Sequence, residues 1–202
     1  MTGKDGNTEA RILDAAHAVF TRVGTAGARM QEIADEAGVN KALLHYYFRS
    51  KDQLSAAVFR RAAGEFFPRI FAILTSDLPL EEKVRAVVER DLEFLSRHPY
   101  LPAYIISEVH HRPDLMAGLM KEIRAPSLSA LQAQLDQGAR EGRLRPIRAE
   151  QAVINLISMI VYPFVAGPLI GAILNLDPDA QRALMDERRT LIPEFFLNAL
   201  RP

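Results

Sequence analysis

Cysteine is absent from all 202 residues, and so is tryptophan. Without cysteine there is no disulfide framework, no thiolate nucleophile and no Cys-based metal site. Net charge is also absent, because 25 basic residues balance 25 acidic ones. No overall field therefore draws the chain to nucleic acid or to a membrane surface. No β-rich run, internal repeat or low-complexity stretch is found. There is no glycine-rich phosphate loop after a strand, no metal-ligand cluster and no nucleophile in an activating motif. Nothing points to an enzyme, and no cofactor is expected. The polar start, Met1 to Asn7, lacks the apolar core of a signal peptide, which predicts a cytoplasmic protein.

What is present is helix. Hydrophobic residues make up 49% of the chain, enough for a large interior or a subunit interface. Thr8 is placed to cap a first helix through Val23, with Ile12, Ala15, Ala16, Val19 and Phe20 as its inward stripe. Gly24 and Gly27 end it. A short helix follows from Arg29 to Ala37, then another from Lys41 to Phe48. Ser50 and Gln53 have the spacing of a capping box for a longer helix from Lys51, which Pro68 is expected to bend or break. Asp77 and Pro79 open the next helix, ended by His98-Pro99. Pieces around 101–109 and 114–123, a helix over 126–141 closed by Gly142, an apolar helix from Ala149 and a last one from Asp177-Pro178 complete an all-α chain.

The run from Ile33 to Lys51 carries the most information. Ala34 allows two helices to approach, Gly38 can take the left-handed conformation of a tight turn, and Asn40 suits the N-cap of the second helix. Val39 and Leu44 supply the plug against Ile33 and Ala37. Lys41, Ala42, Leu43, His45, Tyr46 and Tyr47 then face outward, a basic and aromatic set that a mere helical corner does not need. This is a helix-turn-helix pattern, and DNA is its expected partner. Local charge agrees: from Val39 to Arg61 the bases are Lys41, Arg49, Lys51, Arg60 and Arg61 against Asp52 alone. For Arg60 and Arg61 an ordinary solvated helix face is the favoured reading.

The segment from about Ala10 to Val58 resembles the N-terminal domain of the tetracycline-repressor (TetR) family of bacterial transcriptional regulators. The residues that carry the likeness are Ile12-Leu13-Asp14-Ala15-Ala16 with Phe20, Ile33-Ala34, Ala37-Gly38-Val39, Leu44, Tyr46-Tyr47-Phe48, and Ser50-Lys51 with Leu54. The resemblance implies a three-helix DNA-binding domain over 1–54 and a helical effector-binding and dimerisation domain over 55–202. It implies a homodimeric repressor on a palindromic operator in double-stranded DNA, released by a small molecule. Lys41 is a candidate for a guanine edge or for a phosphate, Gln31 for a base edge, and Ala42 and Leu43 for thymine methyls. One hydroxyl of Tyr46 and Tyr47 is expected on a phosphate, with the other ring partly in the core. Lys51 matches the family's backbone-holding lysine. Two departures stand out: His45 replaces the usual tyrosine, and Ala28 and Arg29 replace the usual hydroxyl residues at the helix start, so Arg29 can offer a charged phosphate contact instead.

Beyond Ser55 the candidates for an effector pocket are Phe67, Phe71, Phe94, Tyr104, His110, His111, Met159 and Tyr162. Core packing competes as an explanation for each aromatic and for the methionine. A mostly apolar lining would favour an apolar or aromatic effector. Adjacent histidines on a helix point about 100° apart, so His110 and His111 suit a surface better than one metal ion. Residues 152–176 carry no charge over a length that reaches across a bilayer, yet Pro163 and Pro168 split them. The reading preferred to a membrane span is a helix packed on the domain core on one side and on a second subunit on the other. The last helix adds Leu184, Leu191, Ile192, Phe195, Phe196 and Leu200 beside an exposed Arg188 and Arg189. The last two long helices are thus the expected homodimer interface. A membrane-associated interaction protein, or a regulator that activates, remains the alternative.

Overall fold

The structure is a computed structural model that describes residues 2–202, with side-chain environments from Gly6 onward. It is 80% helical with no strand among the described residues, so the all-α expectation holds. The helices are α1 (Thr2–Gly27), α2 (Met30–Glu36), α3 (Lys41–Tyr47), α4 (Lys51–Leu74), α5 (Leu80–Arg97), α6 (Leu101–His111), α7 (Pro113–Glu122), α8 (Ser129–Arg140), α9 (Ala149–Val165), α10 (Gly167–Leu174) and α11 (Pro178–Ala199). They form two compact units. The first runs up to Phe66 and takes in Ala103–Ile123, and the second holds Phe67–Pro102 and Arg124–Pro202.

In the first unit the predicted stripe of α1 is the core: Ile12, Ala16, Val19 and Phe20 are at most 1% exposed, beside Ile33, Ala34, Leu44, Leu54 and Phe59. Gly24, at φ 72°, breaks α1 as its position predicts, although a short helical piece continues to Gly27. Thr8 is not the N-cap, because the helix already begins at Thr2. Ser50 does cap α4, its Oγ accepting from the Gln53 N–H at 3.2 Å, while the Gln53 side chain accepts from Arg49 N–H.

Pro68 does not break α4, which runs on to Leu74. A proline inside a helix costs about 3 kcal/mol; Phe66, Ile70 and Leu74 on either side of it are buried. The start of α5 also differs from expectation. Pro79 itself is the N-cap, without a side-chain hydrogen bond, and Asp77 lies outside the helix.

The second unit is organised on α5, which packs along α11 and also touches α8 and α9. Val84, Val87, Val88, Leu92 and Leu95 of α5 and Ile192, Phe196 and Leu197 of α11 are buried in its core. Asp177 caps α11 by accepting from the Ala180 N–H at 2.8 Å. Arg188 and Arg189 are not free on the surface as the sequence suggested. Arg188 donates to the Met159 carbonyl at 2.5 Å, and Arg189 pairs with Glu89 at 2.7 Å. The chain turns by 75° between α9 and α10, with Pro168 in the first turn of α10 as expected, but Pro163, also expected to split the segment, lies inside α9 without ending it. Among the described residues no single helix is long and apolar enough to cross a membrane.

Candidate nucleic-acid interface

Residues 37–40 turn α2 into α3. Gly38 sits at φ 62°, in the left-handed region. Its N–H donates to the Asp35 carbonyl at 3.1 Å, and the Val39 N–H donates to Ala34 at 3.0 Å. These are the two bonds of a Schellman motif. Arg11 of α1 adds a clamp that the sequence reading missed: its guanidinium donates to the Ala37 carbonyl at 2.7 Å. Asn40 then starts α3, its side chain accepting from the Leu43 N–H at 2.7 Å. Leu44 is fully buried, as are Ile33 and Ala34 of α2, which packs against α3.

One apolar plug leaves the rest of α3 outward. Lys41, Ala42 and Leu43 are exposed, and His45 is half-buried. The structure separates the two tyrosines: Tyr46 is 78% exposed, whereas Tyr47 is half-buried with its ring edge-on to Tyr46 at 5.4 Å. Gln31 is exposed on α2, its amide donating to Asp35 at 2.8 Å. Arg29 is the N-cap of α2 and makes no side-chain cap, so its exposed guanidinium sits where the helix N-terminus already favours anions.

Lys51 makes contacts that spacing alone did not reveal. Its ammonium donates to the Ala26 and Ala28 carbonyls at 3.0 and 3.1 Å, which pins the segment leading into α2. A lysine has three N–H donors, so one is left for a phosphate oxygen. Lys51→Ala is expected to weaken binding on all DNA sequences alike and to lower the salt slope by about one unit. A titration series in salt checks this; an equal loss with an unchanged slope would make Lys51 a loop anchor only.

A buried ionic cluster lies in the same unit. Glu108 of α6 is 5% exposed and accepts from Thr25 of α1 at 2.6 Å, Ser55 of α4 at 2.7 Å and Arg112 at 2.6 Å. Burial alone would raise its pKa, but these hydrogen bonds outweigh burial and hold the carboxyl below its ordinary range. The only sequence signal was the Glu108–Arg112 spacing of four on a helix.

The eight effector candidates fall in both units. Phe67 and Phe71 are half-buried and stacked at 6.2 Å, and Phe94 is buried with the Arg69 guanidinium 5.7 Å over its ring. Met159 is half-buried and Tyr162 is 57% exposed. Tyr104 belongs to the first unit, stacked on Phe20 at 6.4 Å, with its hydroxyl donating to the Ser55 carbonyl at 3.3 Å. His110 and His111 are exposed, each ring Nδ1 within 2.8 Å of a carbonyl one turn back. A groove of about 810 Å³ in the second unit, lined by Leu80, Gln134, Leu144 and Leu197 among others, involves none of the eight.

Comparison with known proteins agrees with this geometry. Residues 12–58 match the bacterial regulatory proteins of the tetR family, and residues 81–194 match the tetracyclin repressor-like C-terminal domain. A helix-turn-helix transcriptional repressor of Streptomyces coelicolor is 35% identical over 95 residues, 46% of this chain and 45% of its own length. The chain thus aligns with under half of that relative. The transcriptional activator FasR of Mycolicibacterium smegmatis is 28% identical over 75% of this chain and 68% of its own. In fold, a TetR family regulator from Marinobacter aquaeolei covers 99% of this chain and 98% of its own, with a TM-score of 0.70 and 18% identity. AibR, solved in complex with isovaleryl coenzyme A and operator DNA, covers 91% and 97%, with a TM-score of 0.65 and 17% identity. These relatives are transcriptional regulators and not enzymes. With its C-terminal match alone covering more than half of the sequence, the chain belongs to the TetR family of bacterial transcriptional regulators.

Proposed function

We propose that the chain is a homodimeric repressor that binds a palindromic operator through α3 of each subunit and leaves it when the second unit takes up a small molecule. The observation that carries the DNA-binding half is the division of α3: Leu44 is fully buried, while Lys41, Ala42, Leu43 and Tyr46 stand free on the other side. A helix held this way can enter a major groove with its N-terminal residues at the base edges. Lys41 donates to guanine O6 or N7, Ala42 and Leu43 meet thymine methyls, and Gln31 reaches a base edge from α2. The Tyr46 hydroxyl and the free donors of Arg29 and Lys51 take phosphates, which position the protein, and His45 stands beside them.

Support for the dimer is apolar surface in the second unit. Ile154, Tyr162, Leu191 and Phe195 are all more than half exposed on α9 and α11. AibR, solved with both a coenzyme A thioester and operator DNA, is a precedent in this fold for a regulator that meets a small molecule and DNA together. The stacked Phe67–Phe71 pair and Phe94 favour an apolar or aromatic effector here. The Streptomyces relative is named a repressor and FasR an activator, so both directions of regulation occur among the relatives.

Lys41→Ala tests the assignment of base reading. Preference among operator variants is expected to shift by about 1–3 kcal/mol at one base pair, the range of a good base contact. An equal loss on every sequence would make Lys41 a phosphate contact.

A further inference from the structure

Residues 12–58 match the family's DNA-binding domain, yet the carboxylate that two of them require comes from outside that span. Thr25 lies at the end of α1 and Ser55 in the first turns of α4. Both hydroxyls donate to Glu108 of α6, which falls within the C-terminal match but within the first compact unit. Arg112 closes the cluster: beside its bond to Glu108 it donates to the Ser55 hydroxyl at 2.8 Å and to the Asp52 carbonyl at 3.1 Å. Three helices thus meet at one buried charge.

What the charge holds is the approach to the DNA contacts. Thr25 is followed directly by Ala26 and Ala28, whose carbonyls hold Lys51, and then by Arg29 and Gln31. The segment 25–28 is therefore fixed at two points, by Glu108 at its start and by Lys51 after it. Remove the first, and the segment pivots on the second, so that Arg29, Gln31 and the corner into α3 lose their register. We propose that Glu108 is a positioning residue for DNA recognition, so that the DNA-binding unit is completed by α6.

This rests on the DNA-binding reading above, and the test keeps the two apart. The operator is first recovered with the unaltered full chain, which establishes binding independently. Glu108→Ala in the full chain is then measured on that operator, at a temperature where circular dichroism shows both proteins folded. Affinity is expected to fall about tenfold or more, the effect of losing a charged hydrogen-bond acceptor. Discrimination between the operator and an unrelated duplex should fall with it, because Gln31 and α3 carry the sequence preference. Thr25→Val deletes one hydroxyl only and serves where Glu108→Ala does not fold. It should weaken binding severalfold, and the double variant should lose less than the product of the two single losses. Folded Glu108→Ala or Thr25→Val that binds as tightly as the unaltered protein, or a loss that is equal on the operator and on an unrelated duplex, overturns the proposal and leaves the DNA-binding reading standing.

Discussion

Phe195→Glu is expected to yield a folded monomer that no longer binds the operator at concentrations where the unaltered protein saturates it. Phe195 is 71% exposed on α11, and Leu191, one turn earlier, is 53% exposed. Neither contributes much to the core of its own chain, so the substitution should change the stability of the folded chain by no more than about 0.5 kcal/mol. In a two-fold dimer each such residue is used twice, and a glutamate there would be buried opposite its own copy's apolar surface. Losing the dimer turns two linked binding events into single ones, a loss on the order of 10²–10⁴ in affinity. Sedimentation equilibrium reads the oligomer and fluorescence anisotropy reads the DNA. A variant that stays dimeric places the subunit contact elsewhere.

The second large effect concerns Asp91. It lies on α5 with 2% exposure, and its Oδ2 has no hydrogen-bond partner. Burial pushes its pKa up to about 7. An unfolded aspartate titrates near 3.9, so between about pH 4 and 7 the folded chain holds a proton that the unfolded chain has lost. Stability therefore falls as pH rises through that window, and above it the charged carboxylate is fully penalised. Asp91→Asn removes the ionisation while keeping the shape. At pH 8 it should stabilise the protein by roughly 1–3 kcal/mol, after allowance for one amide group left without a partner. At pH 4 the gain should vanish. Denaturant unfolding at the two pH values makes the comparison. A substitution that destabilises at pH 8 would mean that the carboxylate has a favourable partner in the folded protein.

Much of the fold was legible because it rests on local chemistry. Gly38, Asn40 and Leu44 fix a turn, a cap and a plug within seven residues, and each does in the structure what its type predicts. Asp177 and the glycines at 24 and 142 are equally direct. The errors came where a distant partner overrides a local signal. Arg188 and Arg189 look like a solvated face in sequence, yet one finds a carbonyl 29 residues away and the other a glutamate 100 residues away. The same limit hid Glu108, whose partners Thr25 and Ser55 lie 83 and 53 residues distant. Aromatics such as Tyr104 show the limit from the other side: composition marks them as pocket or core alike, and only their neighbours decide.

The most direct test of the central claim is selection of bound sequences from a random duplex pool by the purified full chain at near-physiological salt. The account predicts a palindrome whose half-sites are about one helical turn apart, about 34–36 Å between centres, so that two copies of α3 bind together. A pool that stays random, both before and after the protein has been unfolded and refolded to strip any bound molecule, contradicts it.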